Sequence, residues 1–167
     1  SSALSAVSPS FKGRVGASKT PRWPQGFLRG RGNEGVAASL KQTANSIGYI
    51  EASYAEQNKI DVAQVENKAR RFVAPSIPEA ARALATSRFA ENFDLDASDP
   101  ADGYPIVGIT WLLVRTKMPA GPRRDAMRRM LEWVLTKGQD INQTLQYVRL
   151  PADVTQRALA AVRSALQ

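Results

Sequence analysis

Apolar positions along this chain alternate between a helical and a strand-like period, and the changes of period outline its elements. The opening "SSALSAV" has helical character and stops before Ser8 and Pro9. Positions 8 to 35 are rich in Gly, Pro, Lys and Arg, and Pro21, Pro24, Gly26 and Gly30 punctuate a loop with one short strand near Val15. A helix then starts from Asn33 as N-cap, with Glu34 at the positive end of its dipole. Val36, Ala37, Leu40 and Lys41 carry it, and Asn45 and Ser46 end it. "IGYIE" alternates as a strand, with Ile47, Tyr49 and Glu51 on one side, and "ASYAEQNK" adds a turn or two of helix.

Residues 61–76 read as irregular strand and loop, and Pro78, at N1, opens a helix running to about Phe93. "DLDASDPADG" is loop, whereas "YPIVGITWLLVRT" has the near-continuous apolar run of a strand in the middle of a sheet. Met127, Met130, Leu131 and Val134 fall at i, i+3, i+4 and i+7, and Gly138 marks the expected stop of that helix. A last helix begins at Pro151 and turns Val154, Ala158, Ala161, Val162 and Ala165 inward. The class is α/β, with no internal repeat. Two clear sheet segments are fewer than the four to six or so of a self-sufficient sheet, so the pattern predicts a part of something larger.

Composition narrows the chemistry. The 167 residues are 43% apolar and 23% charged, as in a globular protein with one core. The net charge of +8 is uneven: Ser1 to Gly35 carries +5, and Glu51 to Asp102 carries −4. The absence of Cys and His excludes disulfides, thiolate nucleophiles, histidine-based zinc sites and Ser–His–Asp triads. The longest apolar run is too short to span a bilayer and contains a glycine. The chain begins at Ser1 without a basic-then-apolar leader, so a signal peptide is expected to be absent from it.

Gly30, Gly32 and Gly35 match G-x-G-x-x-G literally, but "RWPQGFLR" precedes them where a dinucleotide site requires a buried strand. Glycines before a helix can present N–H groups to an anion, with Arg29 and Arg31 adding charge; the plainer reading is a tight loop. One "RGRG" is not a repetitive RNA-binding tract. Arg123, Arg124, Arg128 and Arg129 read as the solvated face of a helix, with phosphates or an anionic membrane as the alternative ligands. Asp94, Asp96, Asp99 and Asp102 lack the spacing and the closing glutamate of a calcium loop. Tyr49, Trp111, Trp133 and Tyr147 are expected in or beside the core. No two groups make an acid–base couple, so the chain reads as non-catalytic, with no cofactor.

"WPQGFLRGRGNEGVAASLKQTANSIGYIEASYAEQNK" resembles the periplasmic phosphate-binding proteins of the high-affinity phosphate ABC transporter. That family carries a stretch close to WP-x-G-x-GGKGNEGVA, then PGSIGYVEYAYA. "YPIVGITWLLVRTKMP", "MLEWVLTKGQ" and "LQYVRLPADVTQRALAAVRSAL" are similar to its later motifs, in the same order. The likeness thins between about 61 and 103. It implies the C-terminal portion of a two-lobe type II periplasmic-binding-protein fold, with incomplete sheets flanked by helices. Residues 1–60 would belong to the second lobe, 61–103 to a connecting segment with a helix, and 104–167 to a return into the first lobe.

The family's phosphate-holding Arg and SGT would lie just before Ser1. None of its phosphate ligands then has a counterpart here. The cleft-facing loop Arg31, Gly32, Asn33 and Glu34 is left as the candidate, with Arg31 in place of the family's Lys. The resemblance further implies a non-catalytic, periplasmic component of phosphate import. Its partners would be phosphate, bound only with the missing N-terminal half, and the transporter's permease subunits. It would neither bind nucleic acid nor span the membrane, and unpaired sheet edges would favour self-association. The alternative from the residues alone is an independent basic module for nucleic acid or anionic surfaces.

Overall fold

A computed structural model describes residues 1–18, 20–96, 100–115 and 117–167. Seven α-helices are found among them: α1 Ser2–Val7, α2 Pro9–Arg14, α3 Gly32–Gln42, α4 Ala52–Gln57, α5 Ile77–Ala85, α6 Pro122–Leu135 and α7 Ala152–Ala165. A 3-10 helix, Lys137–Leu145, follows α6. The β-structure among the described residues consists of two antiparallel ribbons of two residues per strand, β1 (Val65–Glu66) with β2 (Phe72–Val73) and β3 (Arg88–Phe89) with β4 (Leu95–Asp96).

Local chemistry accounts for several helix ends. Ser8 closes α1 and caps α2, its hydroxyl accepting from the Phe11 N–H at 3.2 Å, so the expected loop after Ser8 begins as a helix. The Ser76 hydroxyl accepts from Glu79 N–H and Pro78 occupies the first turn of α5. That helix ends at Ala85, well before Phe93, because the chain turns there into the β3–β4 ribbon. α6 ends before Gly138, and the chain tightens into the 3-10 helix rather than stopping. A side chain at Gly138 would sit about 3.0 Å from the Trp133 ring, so close packing accounts for this glycine.

The two ribbons share one turn geometry. In the first, Asn67 N–H bonds the Arg71 carbonyl and Arg70 N–H bonds the Asn67 carbonyl; in the second, Ala90 and Asp94, and Phe93 and Ala90, repeat the arrangement. The fourth position is left-handed in both, at Arg70 (φ 59) and Phe93 (φ 64), where glycine is the usual occupant. Tertiary ties hold both turns. Buried Asn67 donates to Gly103 O and Asp102 Oδ1, and its own oxygen accepts from Arg71 N–H. Arg157 of α7 donates to the Phe89 and Ala90 carbonyls and lies 5.3 Å from the centroid of the Phe93 ring.

Buried apolar side chains are few and mostly small: Ala37, Ala55, Val73, Ala83, Leu84, Leu131, Val154 and Leu166. They lie between elements that pair locally, α3 on α4 and α6 on α7 and the 3-10 helix. The Arg163–Glu132 ion pair, at 3.0 Å, ties α7 to α6. The accessible surface of the chain is 12260 Å². A compact monomer of this mass exposes about 8,100 Å². The difference is large and apolar in part, for Tyr49, Trp111, Trp133 and Tyr147 are all exposed rather than in the core.

The two expected strands also differ. Neither "SIGYI" nor "YPIVGITWLLV" joins a ladder among the described residues, and no strand is found there near Val15. A strand is defined by its neighbour as much as by its own residues, and these segments have none to pair with among the described residues. Of the aspartates in the acidic loop, Asp99 lies outside the described residues. Among the described residues no group of three or more acidic side chains is placed to hold a metal. No helix there is long and apolar enough to cross a membrane.

Candidate functional site

The loop from Gly30 to Gly35 leads directly into α3. Arg31 takes the N-cap position with extended backbone (φ −82, ψ 112) and Gly32 is left-handed (φ 66), so the helix begins one residue before Asn33. Each glycine has its own reason. A Cβ on Gly30 would lie 2.2 Å from Val36 N, so the loop backbone is pressed onto the first turn of the helix. Gly35 is the other side of that contact: a Cβ there would lie 3.1 Å from the Gly30 backbone. Gly32 alone is required by its backbone angle. A tight loop accounts for all three glycines.

The polar side chains of the loop turn to neighbouring segments. Asn33 does not cap α3; its Oδ1 accepts from the Glu51 N–H, the residue that starts α4, at 3.0 Å. Glu34 Oε1 accepts from the Tyr54 hydroxyl at 2.9 Å. The Glu34 carboxyl is held below its ordinary range, first by a backbone N–H bond and then by that hydroxyl. Glu51 in turn accepts from the Tyr147 hydroxyl at 2.9 Å, bringing in the end of the 3-10 helix. The phenols of Tyr54 and Tyr147 are pushed above their ordinary value, each chiefly by the carboxylate it serves.

A shallow groove between α3 and α4 is lined by Glu34, Lys41, Tyr54, Gln57 and Asn58. It is mixed in sign at best. Glu34, in the first turn of α3, already meets the positive end of the helix dipole. Arg31 is exposed, as is Arg29. The four candidates Arg31, Gly32, Asn33 and Glu34 are therefore contiguous, but two of their side chains serve as hydrogen-bond acceptors for the protein itself.

"SIGYI" packs onto this unit. A Cβ on Gly48 would lie 3.1 Å from the Leu40 side chain, so the glycine lets the segment lie close against α3. Tyr49 joins an aromatic stack in which Trp23 lies between it (5.9 Å) and Phe27 (5.2 Å), with Phe11 edge-on. Sequence reasoning missed this cluster. Its members range from position 11 to position 49 and meet only in the folded chain. A second groove, lined by Arg115, Lys117, Pro119 and Arg123, opens at the start of α6. Arg128 pairs loosely with Asp125 on α6, at 3.9 Å; Arg123 and Arg129 are exposed, but Arg124 and Arg128 are half-buried, so the arginines do not form one solvated face as expected.

No protein-family model matches the chain. Curated relatives do. It is 33% identical to the phosphate-binding protein PstS of Xylella fastidiosa over 92% of its own length and 43% of the relative. Against the phosphate-binding protein PstS of Methanocaldococcus jannaschii the identity is 36%, over 95% of this chain and 46% of the relative. For that of Pasteurella multocida it is 34%, over 94% and 46%. The chain thus spans less than half the length of these relatives, while the likeness takes in nearly all of its own. Along nearly all of its own length, then, the chain is similar to the phosphate-binding proteins named PstS.

Proposed function

We propose that this chain is the C-terminal half of a phosphate-binding protein serving an ABC-type import system, a component that captures substrate without catalysis. One observation carries the reading: the identity to proteins named for phosphate binding runs along 92% or more of the chain. Residues 1–60 would then form part of the second lobe, 61–103 the connection, and 104–167 the return to the first lobe. The periplasm is the corresponding location, and permease subunits are the corresponding partners.

In this reading the loop Arg31–Glu34 shapes the lobe and the phosphate ligands come from elsewhere. Its hydrogen bonding supports that division, since Asn33 and Glu34 hold α4 in place. Buried oxyanion recognition needs several charge-assisted bonds of about 1.5–3 kcal/mol each. Micromolar affinity amounts to about 8 kcal/mol. Exposed Arg29 and Arg31 supply weak, salt-sensitive and unselective contact instead. Calorimetry of the isolated chain with phosphate and sulfate should therefore show no micromolar binding. Phosphate-selective micromolar binding by this chain alone would place the site within it and end this version of the proposal.

A further inference from the structure

Over much of the surface, arginines are matched by carboxylates: Arg70 by Glu66 at 3.2 Å, Arg82 by Glu79 at 3.0 Å, Arg149 by Asp140 at 2.7 Å and Arg163 by Glu132 at 3.0 Å. The groove before α6 and the outward side of that helix are different. Arg115, Lys117, Arg123 and Arg129 are exposed there, and none has an ion-pair partner among the described residues. From Leu113 to Met130 the sequence holds six basic residues and one acidic one, Asp125, which faces Arg128 at 3.9 Å. Arg115, Lys117 and Arg123 line a groove of about 580 Å³, a size that admits a small polar group such as a lipid headgroup.

Apolar side chains share this face. Arg123, Ala126, Met130 and Trp133 fall at i, i+3, i+7 and i+10, one stripe of α6, and all four are exposed. Met130 is 48% exposed and Trp133 49%, while Leu131 on the opposite side is buried. The helix already packs on α7 and the 3-10 helix, so the stripe is no part of that contact's core. Cations mixed with Met and Trp on one side of a helix suit a lipid surface. The cations meet headgroups, and the Met and Trp enter the boundary with the acyl chains.

We propose that the outward face of α6 and the groove before it, centred on Lys117, Arg123, Arg129, Met130 and Trp133, dock on an anionic lipid surface. Shape and chemistry select lipid over nucleic acid. The stripe from Arg123 to Trp133 runs straight for about 15 Å and so meets several headgroups at once. Its apolar members gain from an acyl boundary and gain nothing from a phosphate backbone. This docking stands apart from phosphate capture, and neither reading needs the other.

The probe is a vesicle of equal parts phosphatidylglycerol and phosphatidylcholine, compared with pure phosphatidylcholine, at low ionic strength. The chain should partition onto the first and not the second. Lys117→Gln, Arg123→Gln and Arg129→Gln should each weaken partitioning about fivefold, and together about a hundredfold. Lys12→Gln, Arg14→Gln and Arg22→Gln remove equal charge from another exposed stretch and should together change it by less than about threefold. Urea midpoints within error of the parent establish that both triple variants fold. Since the chain has no cysteine, Ala126→Cys can carry a polarity-sensitive label that shifts to the blue on anionic vesicles, while the same label on exposed Ala63→Cys stays put. Equal partitioning onto both vesicles, or onto neither, would overturn the proposal. So would an equal loss in the two triple variants, or bound vesicles that leave the label at 126 unmoved. Displacement by inorganic phosphate at constant ionic strength would reduce the face to a small-anion site. A DNA duplex that shifts the label at 126 where vesicles do not would make nucleic acid the partner; either result ends the lipid assignment.

Discussion

Asn33 Oδ1 accepts the backbone N–H of Glu51 at 3.0 Å, so the first turn of α3 fixes the start of α4. A side chain expected to cap its own helix instead satisfies a donor eighteen positions away. The Glu34–Tyr54 and Glu51–Tyr147 bonds extend the same tie to the 3-10 helix. The polar side chains of the Arg31–Glu34 loop thus have structural work in this chain.

Removing the Asn33 acceptor should be measurable. Asn33→Ala is expected to cost about 1 kcal/mol in urea denaturation, the usual loss for a capping-type bond. Asn33→Asp retains an oxygen acceptor and should recover most of it. Equal losses in the two variants would mean that the bond to Glu51 contributes nothing.

The carboxyls predict an acid-labile fold. Glu34 is lowered from 4.5 by a backbone N–H and the Tyr54 hydroxyl. Asp102 is lowered from 3.8 by the Arg71 guanidinium, with a further bond from the Gly103 backbone. A depressed folded value means that the stabilisation is complete above the ordinary value and is lost as pH falls through the lower one. The urea midpoint should therefore drop between about pH 5 and pH 2, and the drop should be smaller in Glu34→Gln and Asp102→Asn.

At the alkaline end the sign reverses. Tyr54 and Tyr147 are raised from 10.0, first by the hydroxyl bonds to Glu34 and Glu51. Their contribution is complete below the ordinary value and is lost as pH rises through the raised one. Absorbance titration of the phenolate band should show three tyrosines ionising late, Tyr104 joining them through burial, and Glu34→Gln should return Tyr54 toward its ordinary range.

Arg157 should prove hard to replace. It holds the Phe89 and Ala90 carbonyls and faces the Phe93 ring, so Arg157→Ala is expected to destabilise by about 1–3 kcal/mol and to speed amide exchange at Ala90 and Phe93. Arg157→Lys should restore little, because an ammonium cannot reproduce the planar fork. Full rescue by lysine would show that charge alone suffices.

Two glycine substitutions should move stability in opposite directions. Gly13 lies in α2 with no atom within 4 Å of the place an alanine methyl group would take, so Gly13→Ala should stabilise by about 0.5–1 kcal/mol. At Gly30 a methyl group would meet Val36 N at 2.2 Å, and Gly30→Ala should cost about 1–3 kcal/mol through backbone displacement. Thermal melts of the two variants decide it.

The sequence is legible where local chemistry decides the outcome. The helices near 2–7, 122–135 and 152–165 follow from apolar spacing or a proline, both contained in neighbouring residues. The likeness to the phosphate-binding proteins is legible for a related reason: ordered motifs such as "GRGNEG" and "SIGYI" stand as contiguous strings. What the string could not supply was anything set by contact across the chain. Asn33 and Glu34 found acceptor roles on α4, Trp23 gathered Phe27 and Tyr49, and the helix from Pro78 ended early so that a ribbon could dock under Arg157. The two apolar strands mark the boundary between the two kinds of information. Sequence alone determined that "SIGYI" and "YPIVGITWLLV" have the composition of sheet interior. Only the tertiary structure decided that they stand exposed and unpaired among the described residues, because a strand's hydrogen bonds are made to its neighbours and not to itself.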